Sequence, residues 1–543
     1  MSVRNGIVLL LALSALLFLP ACGSNNVTNP VAPPSGNFSN SNLNGTYVFS
    51  VSGVDEGDGA PYAIVGTITA NGSGGITGGT FDINDEDTAE FTAGPIANVA
   101  INNNGTYHVN VDGRGQITFG TSSIQNFPNL TLDFVLSSSS GGLVTEFDTF
   151  ASGSGTMDLQ AANTTPTGSY AFSLSGGTAG GTPFATVGNF TLTGSTMAGA
   201  DDLNEGGLLA YPAQALTGSL VLGPSATPST TLSTPAFNGT FDVFAVDSTH
   251  LKFIEMDVTA DLVGDAYSQA SPTFPAASLA FTLQGETSAG ALLAAGGVMT
   301  PGNGGAISGT EDFNENGTNV SSPTAPSPFT ATLTTDTTNA GRYTLGSFAT
   351  FVGGTAYAAY PSSGGILLLE IDNAGITTGA AYAQTANATF AAGQGYGLNL
   401  TGIFLGSSAT GSPATQVYDI AEFTANSTGN TITGLIDETS GGGIVGSGVP
   451  FSNGAYTAPS GGRGSITADA STSSSGTLNG GFALTFYTVD GTTFPFIESD
   501  NGQVAAGVFL LQNPAASAAA ASQSHMFIAS PLIHPHAAHQ KKN

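Results

Sequence analysis

The chain has no tryptophan, a single cysteine and only seven basic residues among 543. Each scarcity removes a class of explanation. One cysteine allows no disulfide framework, so stability has to come from a buried core. Seven Lys and Arg face 37 Asp and Glu, a formal charge of −30. Clustered cations for nucleic acid or an anionic membrane surface are therefore missing, which argues against either as a partner. The same balance is compatible with colloidal solubility and with cation binding. The missing tryptophan counts against a stacking platform for sugars. Long helix formers are scarce, while glycine reaches 76 copies and hydrophobic residues 40% of the chain. Such a composition, filled out with Ser and Thr, reads as extracellular β-structure. Signatures of enzymes are absent as well: there is no His-Glu-x-x-His, G-x-S-x-G, Cys/His pair or Walker loop. No catalytic residue is assigned. His108 and His250 stand isolated, and His525, His534, His536 and His539 fall in a C-terminal "HPHAAH"-type tail.

The one cysteine is placed where it carries meaning. Arg4 supplies a positive charge, Gly6 to Leu19 is almost wholly apolar, and "LPAC" ends at Cys22. An apolar run of this length with a small residue before the cut reads as a secretion signal over 1–21, not a spanning helix. The Leu-x-Ala-Cys ending resembles the bacterial lipobox, which implies diacylation of Cys22 and a lipid-anchored mature chain. Gly23 after the cysteine implies release to the outer membrane. Residues 22–40 then form a lipidated tether. Loss of Arg4 leaves six basic residues against 37 acidic ones, a formal charge of −31.

Repeats dominate what remains. "YVFSVSG" (47–53), "YAFSLSG" (170–176), "LAFTLQG" (279–285) and "YGLNLTG" (396–402) place large apolar residues at alternate positions. Period two with one apolar face is a half-buried strand. A second block, G-x-x-D-x-N, carries Asp82, Asp202, Asp312 and Asp437, with Asn84, Asn204 and Asn314 replaced by Thr439 in the last copy. Glycine-rich turns before it suggest a hairpin. The third block, E-x-D-x6-G-x4-Q, recurs four times without an insertion. Its copies begin at Glu146, Glu255, Glu370 and Glu498 and end at Gln160, Gln269, Gln384 and Gln512.

These blocks divide the chain into β-domains at 41–160, 166–269, 274–384 and 390–512, followed by a low-complexity tail at 513–543. Strands are expected in the first unit at 46–52, 61–69, 75–83, 106–111, 115–120, 129–136, 142–148 and 155–160. Eight short strands joined mainly by tight turns predict an all-β antiparallel meander, closed as a barrel because closure removes exposed edges. A two-sheet sandwich is the alternative. A barrel of eight strands is either filled by side chains or holds one small ligand.

The repeated acids are candidates for structure or for ligation. Glu146 and Asp148 point to one face of their strand, as do Glu255 and Asp257, Glu370 and Asp372, and Glu498 and Asp500. If that face is internal, the acids need donors or a cation. Basic partners are few: Arg114 and Arg463 sit in matching "GRG" turns, Arg342 sits in "GRY", and Lys252 lies on an E-x-D strand. A Glu–Arg pair closing the barrel end is thus expected in units one and four only, with amides serving in units two and three. Asp82 and Asn84, Asp202 and Asn204, and Asp312, Asn314 and Asn316 space oxygen atoms on alternate residues, as a calcium loop does. Against that, the twelfth position after Asp312 is Pro323 and not an acid. Capping of turns is the other use of such residues. No cofactor is expected beyond this calcium reading.

The "GxYxF" openings, "GxITGGxxDxN" hairpins and "DGRG" turns, together with the lipobox, resemble the tandem-repeat lipoproteins of acidobacterial type. That resemblance covers most of residues 41–512, and units two and three lack the "GRG" turn. It implies an envelope location and no assigned activity. The expected function is a non-enzymatic, lipid-anchored array of β-domains acting as a surface spacer or binding module toward a surface ligand or protein. A carrier of small apolar ligands in barrel calyces is the alternative, and a carbohydrate-active enzyme using the Glu/Asp pairs is the third reading.

Overall fold

The computed structural model describes residues 36–515, apart from 56–59, 86–94, 122–129, 163, 225–228, 318, 321–325, 349–355, 407–413, 442 and 471–480. The expected secretion signal, Cys22 and most of the expected tether and tail lie outside the described residues. Four antiparallel meanders follow one another, each closed into an eight-stranded barrel. Barrel 1 runs from Asn44–Asp55 to Ala151–Leu159, and barrel 2 from Gly168–Gly177 to Val263–Ser268. Barrel 3 runs from Leu279–Thr287 to Gly375–Ala383, and barrel 4 from Gly395–Phe404 to Gln503–Leu511. Barrel 3 carries one extra two-residue strand, Asn319–Val320, beside its third strand. No sandwich forms.

Alternation explains closure. Tyr47, Phe49 and Val51 point inward and join Ile64, Ile83, Ile117, Phe119 and Phe134 in the core of barrel 1. Phe49 and Phe119 meet with ring centroids 5.4 Å apart. In barrel 4, Phe390 from the preceding segment plugs the interior, 4.6 Å from Phe494 and 5.0 Å from Phe486. The seam of each barrel pairs its last strand with its first, and here the repeated glycine is required. Gly155, Gly264, Gly379 and Gly507 lie opposite Val51, Leu174, Leu283 and Leu400. A Cβ on any of them would stand 1.8–2.0 Å from a carbonyl oxygen of the first strand. Only a residue without a side chain allows that approach.

The four barrels belong to one compact unit. Their outer faces are apolar where they meet. Val48, Val65, Phe244, Ile254 and Met256 pack between barrels 1 and 2, and Val187, Tyr267, Tyr360 and Leu367 pack between barrels 2 and 3. Ala294, Ile497 and Val504 join barrels 3 and 4. Val135, Leu143, Ile420 and Val508 join barrel 4 back to barrel 1. The chain is therefore a closed ring of four barrels. Independent domains on linkers, the ordinary expectation for tandem repeats, give way to a cyclic arrangement in which every barrel has two packed neighbours.

Candidate functional site: acids and amides at the barrel junctions

Each repeated block supplies one fastener of the ring. The closing glutamine reaches out of its own barrel and donates to a carbonyl near the end of the next barrel's sixth strand. Gln160 Nε2 donates to Ala245 O at 2.8 Å, Gln269 to Pro361 O at 3.0 Å, and Gln384 to Thr488 O at 2.7 Å. Gln512 completes the circle by donating to Leu136 O of barrel 1 at 3.1 Å.

The asparagine of G-x-x-D-x-N holds the E-x-D turn of the following barrel. Asn84 Nδ2 donates to the carbonyls of Glu255 and Ala260 at 3.0 and 2.8 Å. Asn204 does the same to Glu370 and Gly375 at 2.8 and 2.9 Å. Asn314 reaches Glu498, Asp500 and Gln503 at 3.2, 2.9 and 2.8 Å. Thr439, the fourth copy, is too short to do this, and its buried hydroxyl has no partner. The second and third blocks of the sequence are thus complementary halves of one joint.

The aspartate of the same block has two duties. In three copies the fourth strand bulges opposite this position. Its carboxylate accepts the N–H of a residue in left-handed conformation on the fourth strand. Asn98 (φ 59°) donates to Asp82, Ala213 (φ 54°) to Asp202 and Gly448 (φ 59°) to Asp437. The bulged residue thus turns an N–H onto the acid from within the same barrel, while the acid faces the neighbour. There it meets arginine. Arg342 of barrel 3 forks onto Asp202 of barrel 2 through Nε and Nη2 at 2.8 and 2.6 Å. Arg463 of barrel 4 grips Asp312 of barrel 3 at 2.6 and 2.7 Å. Arg114 of barrel 1 reaches Asp437 of barrel 4 at 2.7 Å and also Asp112 at 3.1 Å. Tyr360 and Tyr487 donate their hydroxyls to Asp202 and Asp312 at 2.5 and 2.9 Å.

This corrects the expected pairing. The arginines do not touch the E-x-D glutamates, and Arg342 is no outlier. Arg114 lies opposite Val135, and Gly115 opposite Phe134. Arg463 and Gly464 face Tyr487 and Phe486 in the same way. Tyr343 faces Ala359, which puts Arg342 opposite Tyr360. In barrel 2 the bridge between Gly223 and Val243 places Leu222 at that position. The junction between barrels 1 and 2 therefore lacks an arginine. Asp82 there faces Asp242, and its Oδ2 is buried without a donor. Burial first, and then Asp242, push the Asp82 carboxyl up to about 8, although the Asn98 N–H pulls the other way. Lys252 lies at this junction instead, bridging Asp158 of barrel 1 at 3.2 Å and Asp265 at 3.1 Å. His250, read as isolated, sits against Asp265 at 2.6 Å and stacks on Tyr267.

The E-x-D glutamates end the seventh strand of each barrel and point into its interior. All four are buried. Glu146 accepts from the Tyr62 hydroxyl. Glu255 accepts from Thr259 Oγ1 and Leu262 N, both at 3.3 Å. Glu370 accepts from Thr377 at 2.9 Å, and Glu498 from Ala483 N at 2.8 Å and Gln503 Nε2 at 3.2 Å. None has a cation beside it, so the carboxyl form is favoured. Burial, with Asp148, Asp257 and Asp500 adding, raises Glu146, Glu255 and Glu498 well above the ordinary range, and Glu370 rises to about 8. The partner acids cap the turn that follows. Asp148, Asp257 and Asp372 each accept two backbone N–H groups at 2.8–3.2 Å. Asp500 accepts Gly502 N at 2.6 Å.

Three of the amide oxygens considered for calcium are occupied by backbone N–H groups. Asn204 Oδ1 accepts Gly207 N, Asn314 Oδ1 accepts Gly317 N, and Asn316 Oδ1 accepts Leu292 N, at 2.9–3.1 Å. Among the described residues no group of three or more His, Cys, Asp or Glu is placed to hold a metal ion.

No protein-family model matches the chain, and no curated protein matches it. Intact Ap-TbpB, with its N and C lobes, is similar at 8% identity over 68% of this chain and 83% of its own, with a TM-score of 0.18. Kievitone hydratase from Nectria haematococca is similar at 10% identity over 65% of this chain and 92% of its own, with a TM-score of 0.14. Likenesses this low carry no weight for function.

Proposed function

We propose that the protein is a non-enzymatic, lipid-anchored component of the bacterial cell envelope, held in the outer membrane through Cys22, whose β-barrel ring serves as a rigid spacer and binding platform. It fits the tandem-repeat lipoproteins of acidobacterial type. One observation carries the reading: the repeated acids and amides are spent inside the barrels and on joining barrels to one another. Asp202, Asp312 and Asp437 are clamped by arginines of adjacent barrels. The glutamates are buried inside single barrels, and each has beside it the aspartate of its own block, which caps the following turn. Aromatic contacts through the interiors favour a scaffold over a carrier, because filled barrels leave a calyx little room. Solubility of the platform is served by the acidic balance.

Two measurements test this. Cys22→Ser should abolish fatty-acid labelling and detergent-phase partitioning while the barrels still fold, as read by circular dichroism. A mutant that remains labelled and membrane-bound would overturn the anchor. Glycan hydrolysis by the wild type that is lost in Glu498→Gln at unchanged stability would overturn the scaffold reading in favour of an enzyme.

A further inference from the structure

We infer that the junction between barrels 4 and 1 is an exchangeable docking surface, and that its second partner is another copy of this chain. Three of the four junctions join barrels that are consecutive in sequence, so the backbone holds them together whatever their contacts do. The 4–1 junction joins the two ends of the described chain, and only side-chain and main-chain contacts hold it.

Those contacts are of a kind that opens. The apolar strip is four buried residues, Val135, Leu143, Ile420 and Val508, as many as between barrels 3 and 4 and fewer than between barrels 1 and 2 or 2 and 3. The asparagine that grips the following E-x-D turn elsewhere is Thr439 here. Buried polar atoms without a partner gather at this place: Thr439 Oγ1, Asn399 Oδ1, Gln512 Oε1 and the Tyr418 hydroxyl. Tyr418 is close enough to Glu146 of barrel 1 for that acid to add to the rise that burial causes in its phenol. Each such atom loses its water on closure and regains it on opening, so closure is less favourable here than at a fully satisfied junction.

Two faces that fit each other within one chain fit equally well between two chains. The contacts are heterologous: Arg114 on one side meets Asp437 on the other, Asp112 and Leu136 meet Gln512, and Ser154 meets Asn399. An opened ring presents the barrel 4 face at one end and the barrel 1 face at the other. Copies then join head to tail, with every native contact of the junction kept. Within one chain the tethering of the ends favours closure, so exchange grows with the local density of copies.

The test uses the full chain carrying Cys22→Ser, so that introduced cysteines are the only ones. Ser154→Cys and Asn399→Cys are placed first in one chain and then in two separate chains. The double variant is expected to close an internal disulfide as a monomer at low concentration. A mixture of the two single variants is expected to yield a disulfide-linked heterodimer that increases with protein concentration. A mixture at a covalently tethered junction, Gln269→Cys with Pro361→Cys, serves as the control once the two substitutions in one chain are seen to close, and is expected to give none. Thr439→Asn, which restores the missing amide, should reduce the heterodimer, and Arg114→Gln should increase it. Internal closure without any heterodimer at high concentration would overturn the inference. So would equal cross-linking at the 269/361 control, and so would a failure of the double variant to close.

Discussion

Replacing Arg342 by methionine removes a cation from a place where water cannot substitute for it. The Asp202 side chain is 0% exposed and that of Arg342 7%. Asp202 accepts from Arg342 twice, from Tyr360 Oη and from Ala213 N. Breaking a buried pair by deleting one partner costs about 3–5 kcal/mol. Two of the four donors survive in Arg342→Met, so the lower part of that range applies, about 3 kcal/mol. Asp202→Asn leaves the guanidinium with Asp336 alone, at 3.1 Å, and should cost somewhat less. The double variant buries no charge and should recover most of the loss, ending within about 2 kcal/mol of wild type. The assay is a double-mutant cycle on the full chain. Urea unfolding would be followed by amide exchange in Thr196–Glu205 of barrel 2 and Tyr343–Gly346 of barrel 3. A coupling energy near zero, with the two losses simply adding, would refute the claim that this pair joins the barrels. So would a loss in Arg342→Met below about 0.5 kcal/mol, the scale of an exposed pair.

Three further outcomes follow from the same geometry. Because burial keeps Glu498 in its carboxyl form, Glu498→Gln should be nearly neutral, whereas Glu498→Ala should cost roughly 1–3 kcal/mol by stranding the Ala483 N–H; equal losses in both, by chemical denaturation, would contradict this. Stability should fall as pH rises from about 4 to about 8, since Glu370, Asp82 and Asp133 are all pushed up to about 8. Acids raised in the folded state stabilise it below their unfolded values and lose that contribution as pH climbs through the folded ones. Asp265, lowered to about 2, acts only at the acidic end. A melting temperature that is flat or rising between pH 5 and 9 would refute the sign. Finally, Gly379→Ala puts a methyl 2.0 Å from Thr282 O and should destabilise barrel 3 by about 1–3 kcal/mol, the cost of overpacking; an unchanged unfolding midpoint would show that the seam is looser than it looks.

Much of each barrel was legible in the chain alone, because a barrel is built from local pattern. Side chains alternate along a strand, so Tyr47, Phe49 and Val51 announce an inward face. The spacing from Glu to Gly to Gln fixes a strand, a turn and a closing strand with no help from the rest of the molecule. The sequence also carries a sign of the ring. The strand His250–Glu255 is apolar on both faces, Leu251 and Phe253 toward its own core and Ile254 toward barrel 1. A barrel standing alone in water would not need the second face. Double-sided strands in a meander are a sign of neighbours.

What the chain could not display is which polar groups would meet. Arg342 and Asp202 are 140 residues apart, and Gln512 and Asp112 are 400 apart. Arg342 looked misplaced because the "GRG" turn that marks Arg114 and Arg463 is absent around it, although the strand pairing puts all three at one position. Composition, repeat and strand pattern are local properties, written residue by residue in the order of synthesis. The ring is not. It depends on four outer surfaces meeting in sequence and on the last finding the first, and a hydrogen bond between them has no spacing to read. Tertiary structure alone decided that the repeated Glu, Asp, Asn and Gln divide between barrel interior and barrel junction. The reason is that a buried polar group takes whichever partner the packing brings within about 3 Å.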